Sequence, residues 1–289
     1  MNTSLSLRAA ILTLALGAVP PAHPQKHMLF RVRGPQGATV FLLGSVHLLS
    51  AEAGQLPPVV DSAFDRAKTV AFETSFDSLQ MRAMELMTRA RYANGATLRS
   101  SLSPAGAARL DTVLKAYGMT VEQVNGFKPW FVSMVLMQSV MQRAHYEAKY
   151  GVDMQLNARA HSANKTIVGL ESAEMQLGMF DSLSPEEQEK MVLTSTGPDS
   201  SSRTLAKIKD AWMSGDVRVL DELMNQGLKD VPTLFTKLVV DRNTAWLPKI
   251  EQMVKSKDDA LIVVGAGHLV GKSGVVEMLR AKGYTVDQM

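Results

Sequence analysis

Two histidines stand in matching local sequences. Val40-Phe41-Leu42-Leu43-Gly44-Ser45-Val46-His47-Leu48 and Leu261-Ile262-Val263-Val264-Gly265-Ala266-Gly267-His268-Leu269 each run through four apolar residues, Gly, two small or neutral residues, His and Leu. An apolar run of this kind reads as a buried strand. Glycine lets the strand break into a turn with positive φ, and the imidazole three residues later then stands just beyond the sheet edge. Two such turns can aim two rings into one crevice. Two further short apolar runs end in carboxylates, 69–72 in Glu73 and 166–170 in Glu171. If those strands run parallel to the first two, all four groups leave the same edge of one sheet. Imidazole and carboxylate together suit a divalent metal such as zinc, manganese, iron or cobalt. With an open coordination position such an ion polarises a carbonyl and acidifies bound water, so the expected chemistry is hydrolysis. Whichever of Glu73 and Glu171 stays off the metal is then the candidate general base.

Each candidate also has a plainer reading. A lone histidine at a turn usually packs or hydrogen-bonds, and it is the repeated context that lifts His47 and His268 above that. Glu73 and Glu171 would serve as well as helix N-caps or surface ion pairs. Arg242 and Asn243, late in a helical stretch, read first as a solvated face, and Asp153, after Gly151, as a helix N-cap. His23, His27, His145 and His161 lack any repeated context.

Positioning these groups requires an α/β sheet with helices inserted between its strands. Residues 28–32 and 39–43, joined by Gly34-Pro35-Gln36-Gly37, predict a hairpin. A helix is expected at about 59–67. From 79 to about 146 apolar residues recur every three or four positions and predict helices, with boundaries at Thr120 with Gln123 and at Pro129. Met81, Met84, Met87, Met134, Met137 and Met141 lie at helical spacings there and read as core packing, ahead of a methionine-lined groove for an apolar ligand or haem. A second helical stretch opens at the capping box Ser184-Pro185-Glu186-Glu187. It continues through 203–213 and 217–226, with Gly215 and Gly227 as stops, and through 233–255, bent at Pro248. The chain closes on a βαβ unit: strand 260–264, helix 274–282 stopped by Gly283, strand 284–286. The expected fold is thus α/β: a mixed sheet core with two pseudo-repeated strand-GxxH turns. It forms a single domain over 27–289 with an inserted helical subdomain, the insertions falling at about 78–150 and 175–230.

Composition bounds the rest. A chain of 289 residues with 46% hydrophobic content buries a sizeable core. Its 20% charged fraction, twelve prolines and lack of low-complexity runs exclude a disordered or fibrous protein. The net charge of +3 and pI near 9.0 come from scattered lysines and arginines. No aromatic-rich basic stretch or zinc-finger spacing accompanies them, so nucleic acid is not an expected partner. The first 22 residues carry one cation, Arg8, an apolar run over 9–19 and then Pro20-Pro21-Ala22. This is the layout of a signal peptide, with too few apolar residues to span a bilayer. Residues 1–22 are therefore expected to be removed on export, leaving an extracytoplasmic, most simply periplasmic, protein with no stable membrane span. With no cysteine, any metal must be held by His, Asp, Glu or backbone oxygen.

At these residues the sequence resembles the TraB/GumN/Tiki family (TraB/PrgY/GumN-like), which is related more distantly to the erythromycin esterase and ChaN groups. The resemblance spans nearly the whole mature chain. It rests on Gly44-Ser45-Val46-His47, Phe72-Glu73-Thr74, Lys128-Pro129-Trp130, Gly151-Val152-Asp153, Gly169-Leu170-Glu171, Asp241-Arg242-Asn243 and Gly265-Ala266-Gly267-His268-Leu269-Val270-Gly271. Ser45 stands where relatives commonly carry Thr. The resemblance implies an α/β core with paired Gly-x-x-His turns, and its Tiki branch implies a metal-dependent peptide hydrolase using manganese or cobalt, with zinc also admissible. It places metal ligation on His47, Glu73 and His268 and catalytic roles on Glu73, Glu171 and Arg242, the arginine stabilising negative charge. The expected partner is a peptide or small-molecule substrate. Two other functions stay open: a non-catalytic binder of haem, a metal or a signal peptide, and an accessory protein of surface-polysaccharide export, suggested by the GumN name.

Overall fold

The short apolar runs assemble into one six-stranded sheet in a computed structural model that describes residues 25–53, 55–93, 95–194, 198–225, 228 and 232–289. The expected signal peptide, His23 and the expected stop at Gly227 lie outside the described residues. The strands are β1 (Leu29–Arg33), β2 (Thr39–Ser45), β3 (Thr69–Phe72), β4 (Thr166–Gly169), β5 (Ala260–Gly265) and β6 (Val286–Gln288), in the spatial order β4-β3-β5-β2-β1-β6. The neighbours β4, β3, β5 and β2 all run parallel. β1 returns antiparallel to β2 through the predicted hairpin, and β6 pairs antiparallel with β1 at the outer edge. β2 and β5 are buried along their whole length, as strands covered on both faces must be, and their unbroken Val, Ile and Leu runs reflect it.

Parallel strands cannot be joined by tight turns, so helices carry each crossover between them. Pro58–Arg66 leads from β2 to β3 and Val275–Ala281 from β5 to β6, while the two long insertions fall between β3 and β4 and between β4 and β5. The first insertion holds Phe76–Met81, Ala83–Ala90, Leu98–Ser101, Pro104–Ala116, Val121–Val124 and Pro129–Arg143. Its punctuation follows the sequence: Thr120 and Gln123 form a reciprocal capping box, and Pro129 opens its helix. Leu98, Leu110, Leu114 and Leu136, joined by Val192 from helix Pro185–Leu193 of the second insertion, build a helical core separate from the one around the sheet. Among the described residues no helix is long and apolar enough to cross a membrane.

Three expectations change. The methionine stripes are not core: Met81 and Met84 are 78% and 79% exposed, and Met134 and Met137 41% and 46%. On Pro129–Arg143 the buried face belongs to Val132, Leu136 and Val140, whose i, i+4 spacing leaves Met134 and Met137 on the other side. The helix expected at 233–255 is in three parts, Pro232–Phe235, a π segment Thr236–Val240 and Asp241–Val254, and a second π segment, Asp221–Asn225, follows Val217–Leu220. The last strand begins at Val286 rather than Tyr284, because its pairing partner is β1 and the register with Val32 starts there.

Candidate functional site

The four parallel strands end on one side of the sheet. In spatial order they deliver Glu171 beyond β4, Glu73 beyond β3, His268 beyond β5 and His47 beyond β2. The groups converge around Gly265: a methyl placed there would lie 3.2 Å from Glu73 Oε1, 3.6 Å from His268 Cδ2 and 3.7 Å from His47 Nε2. The Gly265 N–H donates to Glu73 Oε1 at 2.7 Å. Two rings far apart in the chain thus meet, as the repeated sequence requires. The glycines, however, provide space rather than a special conformation. Neither Gly44 nor Gly265 has positive φ. Gly265 sits at φ −49°, leading into a 3-10 turn over Ala266–His268 that ordinary residues can enter. A side chain on Gly44 would press on Met28 and Ala266 at 3.0–3.2 Å.

His47 Nδ1 lies 2.8 Å from Asp153 Oδ2. Asp153 is not the helix N-cap expected of it. Gly151 takes that position, and Asp153 is buried in the first turn of Val152–Ser162. The bareness of Gly151 explains the local sequence, since a methyl there would collide with the His47 carbonyl oxygen. The helix can therefore start directly against the His47 turn, with the Val152 N–H donating to Val46 O at 3.1 Å. Although the His47 side chain is 61% exposed, protein mass surrounds it along a cleft. That burial opposes its charge, but Asp153, by charge and hydrogen bond, and Glu73 raise its pKa to about 9.

His268 is buried and its tautomer is fixed by its neighbours. The Asn243 amide nitrogen donates to His268 O at 3.2 Å and to Ser273 O at 2.8 Å. Its oxygen therefore faces His268 Nδ1, 2.7 Å away, and the ring proton is on Nδ1. Arg242 Nη1, which can only donate, reaches Nε2 at 3.0 Å. Burial depresses the His268 pKa to about 4, with Arg242 and His47 adding to the effect and Glu73 opposing it. Trp246 packs against the ring at 4.6 Å between centroids.

Arg242 joins the two carboxylates. Its Nη2 donates to Glu73 Oε2 at 2.5 Å and to Glu171 Oε1 at 2.7 Å, and Nε reaches Glu171 at 3.1 Å. Trp246 Nε1 donates to Glu171 Oε2 at 3.0 Å. Arg242 and Asn243 thus turn inward, and neither is the solvated face that helical position suggested. Glu171 is ion-paired, but in the interior rather than at the surface. Burial would raise the Glu73 carboxyl, yet His268, Arg242, His47 and the Gly265 N–H together hold it down at about 2. Trp246 had no place in the sequence reading; its position four residues after Arg242, on the same helical face, was the available signal.

Above this floor opens a cleft of about 620 Å³, with His47, Glu73, Arg242 and His268 at its base and apolar walls that include Leu79, Leu86, Met134, Leu177, Phe180 and Leu238. Phe180 stacks on the buried Trp130 at 4.9 Å, which gives the Lys128-Pro129-Trp130 segment its place. A second cavity of about 300 Å³ adjoins and shares His47, Glu73, Leu79 and Gln176 with the first.

An open α/β sheet whose paired Gly-x-x-His turns meet over a glutamate defines the class of protein. The chain belongs to the TraB/PrgY/gumN family, whose profile matches residues 28–288. It is similar to an uncharacterized protein of Treponema pallidum (strain Nichols), 23% identical over 93% of this chain and 85% of that protein. It is also similar to the uncharacterized protein YbaP of Escherichia coli (strain K12), 26% identical over 83% of this chain and 87% of YbaP, and YbaP of Shigella flexneri matches equally. No solved structure matches it significantly.

Proposed function

We propose that the protein is a metal-dependent hydrolase of a peptide or amide bond, working outside the cytoplasm. The observation that carries this reading is the meeting of two imidazoles of opposite proton affinity over Glu73, at the floor of a cleft. Environments that push paired titratable groups apart are how a site separates acid from base. Asp153 and Glu73 keep the His47 pKa high, near 9, whereas burial and Arg242 keep that of His268 low, near 4, with the His268 Nε2 lone pair accepting from Arg242 Nη1.

The donor set suits a divalent ion in kind. Glu73 Oε1 lies 3.9 Å from His268 Nε2 and, like His47 Nε2, borders Gly265, while Asp153 and Asn243 hold the far ring nitrogens, as ligand imidazoles require. Arg242 competes for the same groups, and among the described residues no three His, Asp or Glu side chains form a ready cation cage. An ion must therefore draw His268 and Glu73 away from the guanidinium; bound, it would polarise a carbonyl and acidify water. With the rings engaged in ligation, proton transfer would fall to the Glu73 oxygen left off the ion. With the rings free, His47 Nε2–H supplies a proton to the leaving amine, and His268 Nε2 accepts one from the attacking water once Arg242 Nη1 withdraws from it. Arg242 brings positive charge to the cleft floor where negative charge would develop on a carbonyl oxygen, its N–H groups being committed to Glu73, Glu171, His268 and Leu238 O. Glu171 has both oxygens engaged by Arg242 and Trp246 and acts as a positioning residue.

Elemental analysis of untagged protein, followed by amide and peptide hydrolysis with added manganese, cobalt or zinc, tests the reading. Turnover that His268→Ala abolishes without altering the circular dichroism supports it; no turnover with any of the three ions sinks it. Sequencing the amino terminus of exported protein tests removal of residues 1–22. A second reading, capture without turnover, is favoured by Arg242, which neutralises both carboxylates; a haem ligand would declare itself by visible absorption.

A further inference from the structure

We infer that the larger cleft receives an aliphatic acyl chain, so that the bond cut at its floor joins such a chain to a polar group; this rests on the hydrolase reading. Two features of the cleft point to the occupant. The first is the distribution of polarity. Apart from the charged floor, the described residues of the walls offer only Gln176 and Asn225 as polar side chains. Asn225 has already committed its amide nitrogen to Asp221 Oδ1 at 2.9 Å and to Gly267 O at 3.2 Å. An extended peptide would carry an N–H and a C=O into the cleft at every residue, and each would lose water without gaining a partner. A hydrocarbon chain has no such groups to satisfy. The volume of about 620 Å³ is that of a small-molecule site.

The second feature is the junction of the two cavities at His47 and Glu73. A bond lying across that junction has its acyl side among leucines and methionines. Its other side enters the smaller cavity, where Thr74, Asp153 and Gln176 stand among apolar neighbours such as Phe72, Phe76 and Met154. Met134, Met179 and Met224 line the larger cleft, and unbranched thioethers adapt to chains of different length. Phe180, fixed by its stack on Trp130, provides a rigid surface among them. In the reaction the water oxygen bonds to the acyl carbon, the C–N or C–O bond breaks, and the water proton passes to the departing nitrogen or oxygen. The products are a carboxylate and an amine or alcohol, with no change of oxidation state.

The test is a series of acyl 4-nitroanilides and 4-nitrophenyl esters with two, four, six, eight and ten carbons. The expected kcat/KM rises with chain length, by up to about fourfold per methylene where burial is complete. Met134→Gln should flatten that slope relative to the variant's own two-carbon substrate. A flat or falling slope with turnover intact overturns the acyl assignment and leaves the hydrolase reading standing, as does better turnover of polar oligopeptides. If nothing is turned over, the hydrolase reading fails, and displacement of the probe 1-anilinonaphthalene-8-sulfonate by dissolved decanoate decides the occupant. Displacement weakened roughly tenfold or more by Met134→Gln supports an acyl site, at the scale of a few buried methylenes; no displacement overturns it. Phosphatidylcholine vesicles in a parallel arm tell a bilayer source of the chain from a dissolved one, and displacement by either supports the assignment.

Discussion

Arg242 stands between two buried carboxylates and donates to both, so its charge offsets the water they have lost. Removing one partner of such a set leaves the others charged and without water. Arg242→Ala is expected to cost about 3–5 kcal/mol in urea unfolding, and adding Glu171→Gln should return part of it; equal stability of wild type and Arg242→Ala would refute the network. The same residues predict an acid-sensitive fold. His268 titrates near 4 when folded against an ordinary 6.5, so between 6.5 and 4 the unfolded chain takes up the proton first and stability falls with pH. Glu73, near 2 against 4.5, extends the loss below 4.5. His47 acts oppositely: its contribution is present below 6.5 and fades as pH rises through 9, and its solvent exposure keeps it small. Thermal midpoints should therefore drop from pH 6.5 to 4, and His268→Asn should flatten that interval. An unchanged slope would contradict the assigned proton affinity. His47, Glu73, Glu171 and His268 were readable because each ends a short apolar run, and strand ends fix where a side chain leaves the sheet. Spacing alone did not single out Arg242 and Asp153, which only the family motifs mark, since helical periodicity gives spacing along an axis but not which face turns inward.

What turns that face inward is local. The π segment Thr236–Val240 immediately precedes Asp241–Val254, and a π turn holds one residue more than an α turn. Each residue advances a helix by about 100°, so the extra residue sets the direction in which Arg242, Asn243 and Trp246 point. Deleting Thr236 should restore α spacing and swing all three away from the sheet. The expected result is a stability loss comparable to that of Arg242→Ala, about 3–5 kcal/mol, with helical circular dichroism retained; a variant as stable as the parent would dismiss the π turn as incidental. Such turns carry no clear sequence signature, which is why 233–255 reads as a continuous helix. Capping chemistry fared better, because Thr120 with Gln123 and Ser184 with Glu187 act within one turn and need no tertiary partner.

At the scale of the whole molecule, the cleft lies where the helical layer, with its own core, meets the carboxyl ends of the strands. The methionines were misplaced in the sequence reading because a helical period alone does not say whether a face meets another helix or a cavity. Topology makes one further demand. β2 and β3, which carry His47 and Glu73, are not neighbours; β5 lies between them and pairs with both. A chain of residues 25–259 should accordingly show no cooperative thermal transition, and a sharp one would mean the remaining strands close without it. Synthesis runs from the amino terminus, so a ribosome that stalls anywhere before Ala260 releases a product with a gap at its centre and no working crevice. Until β5 is made, nothing joins β2 to β3 and the turn that carries His268 is missing, so the crevice is among the last features to assemble.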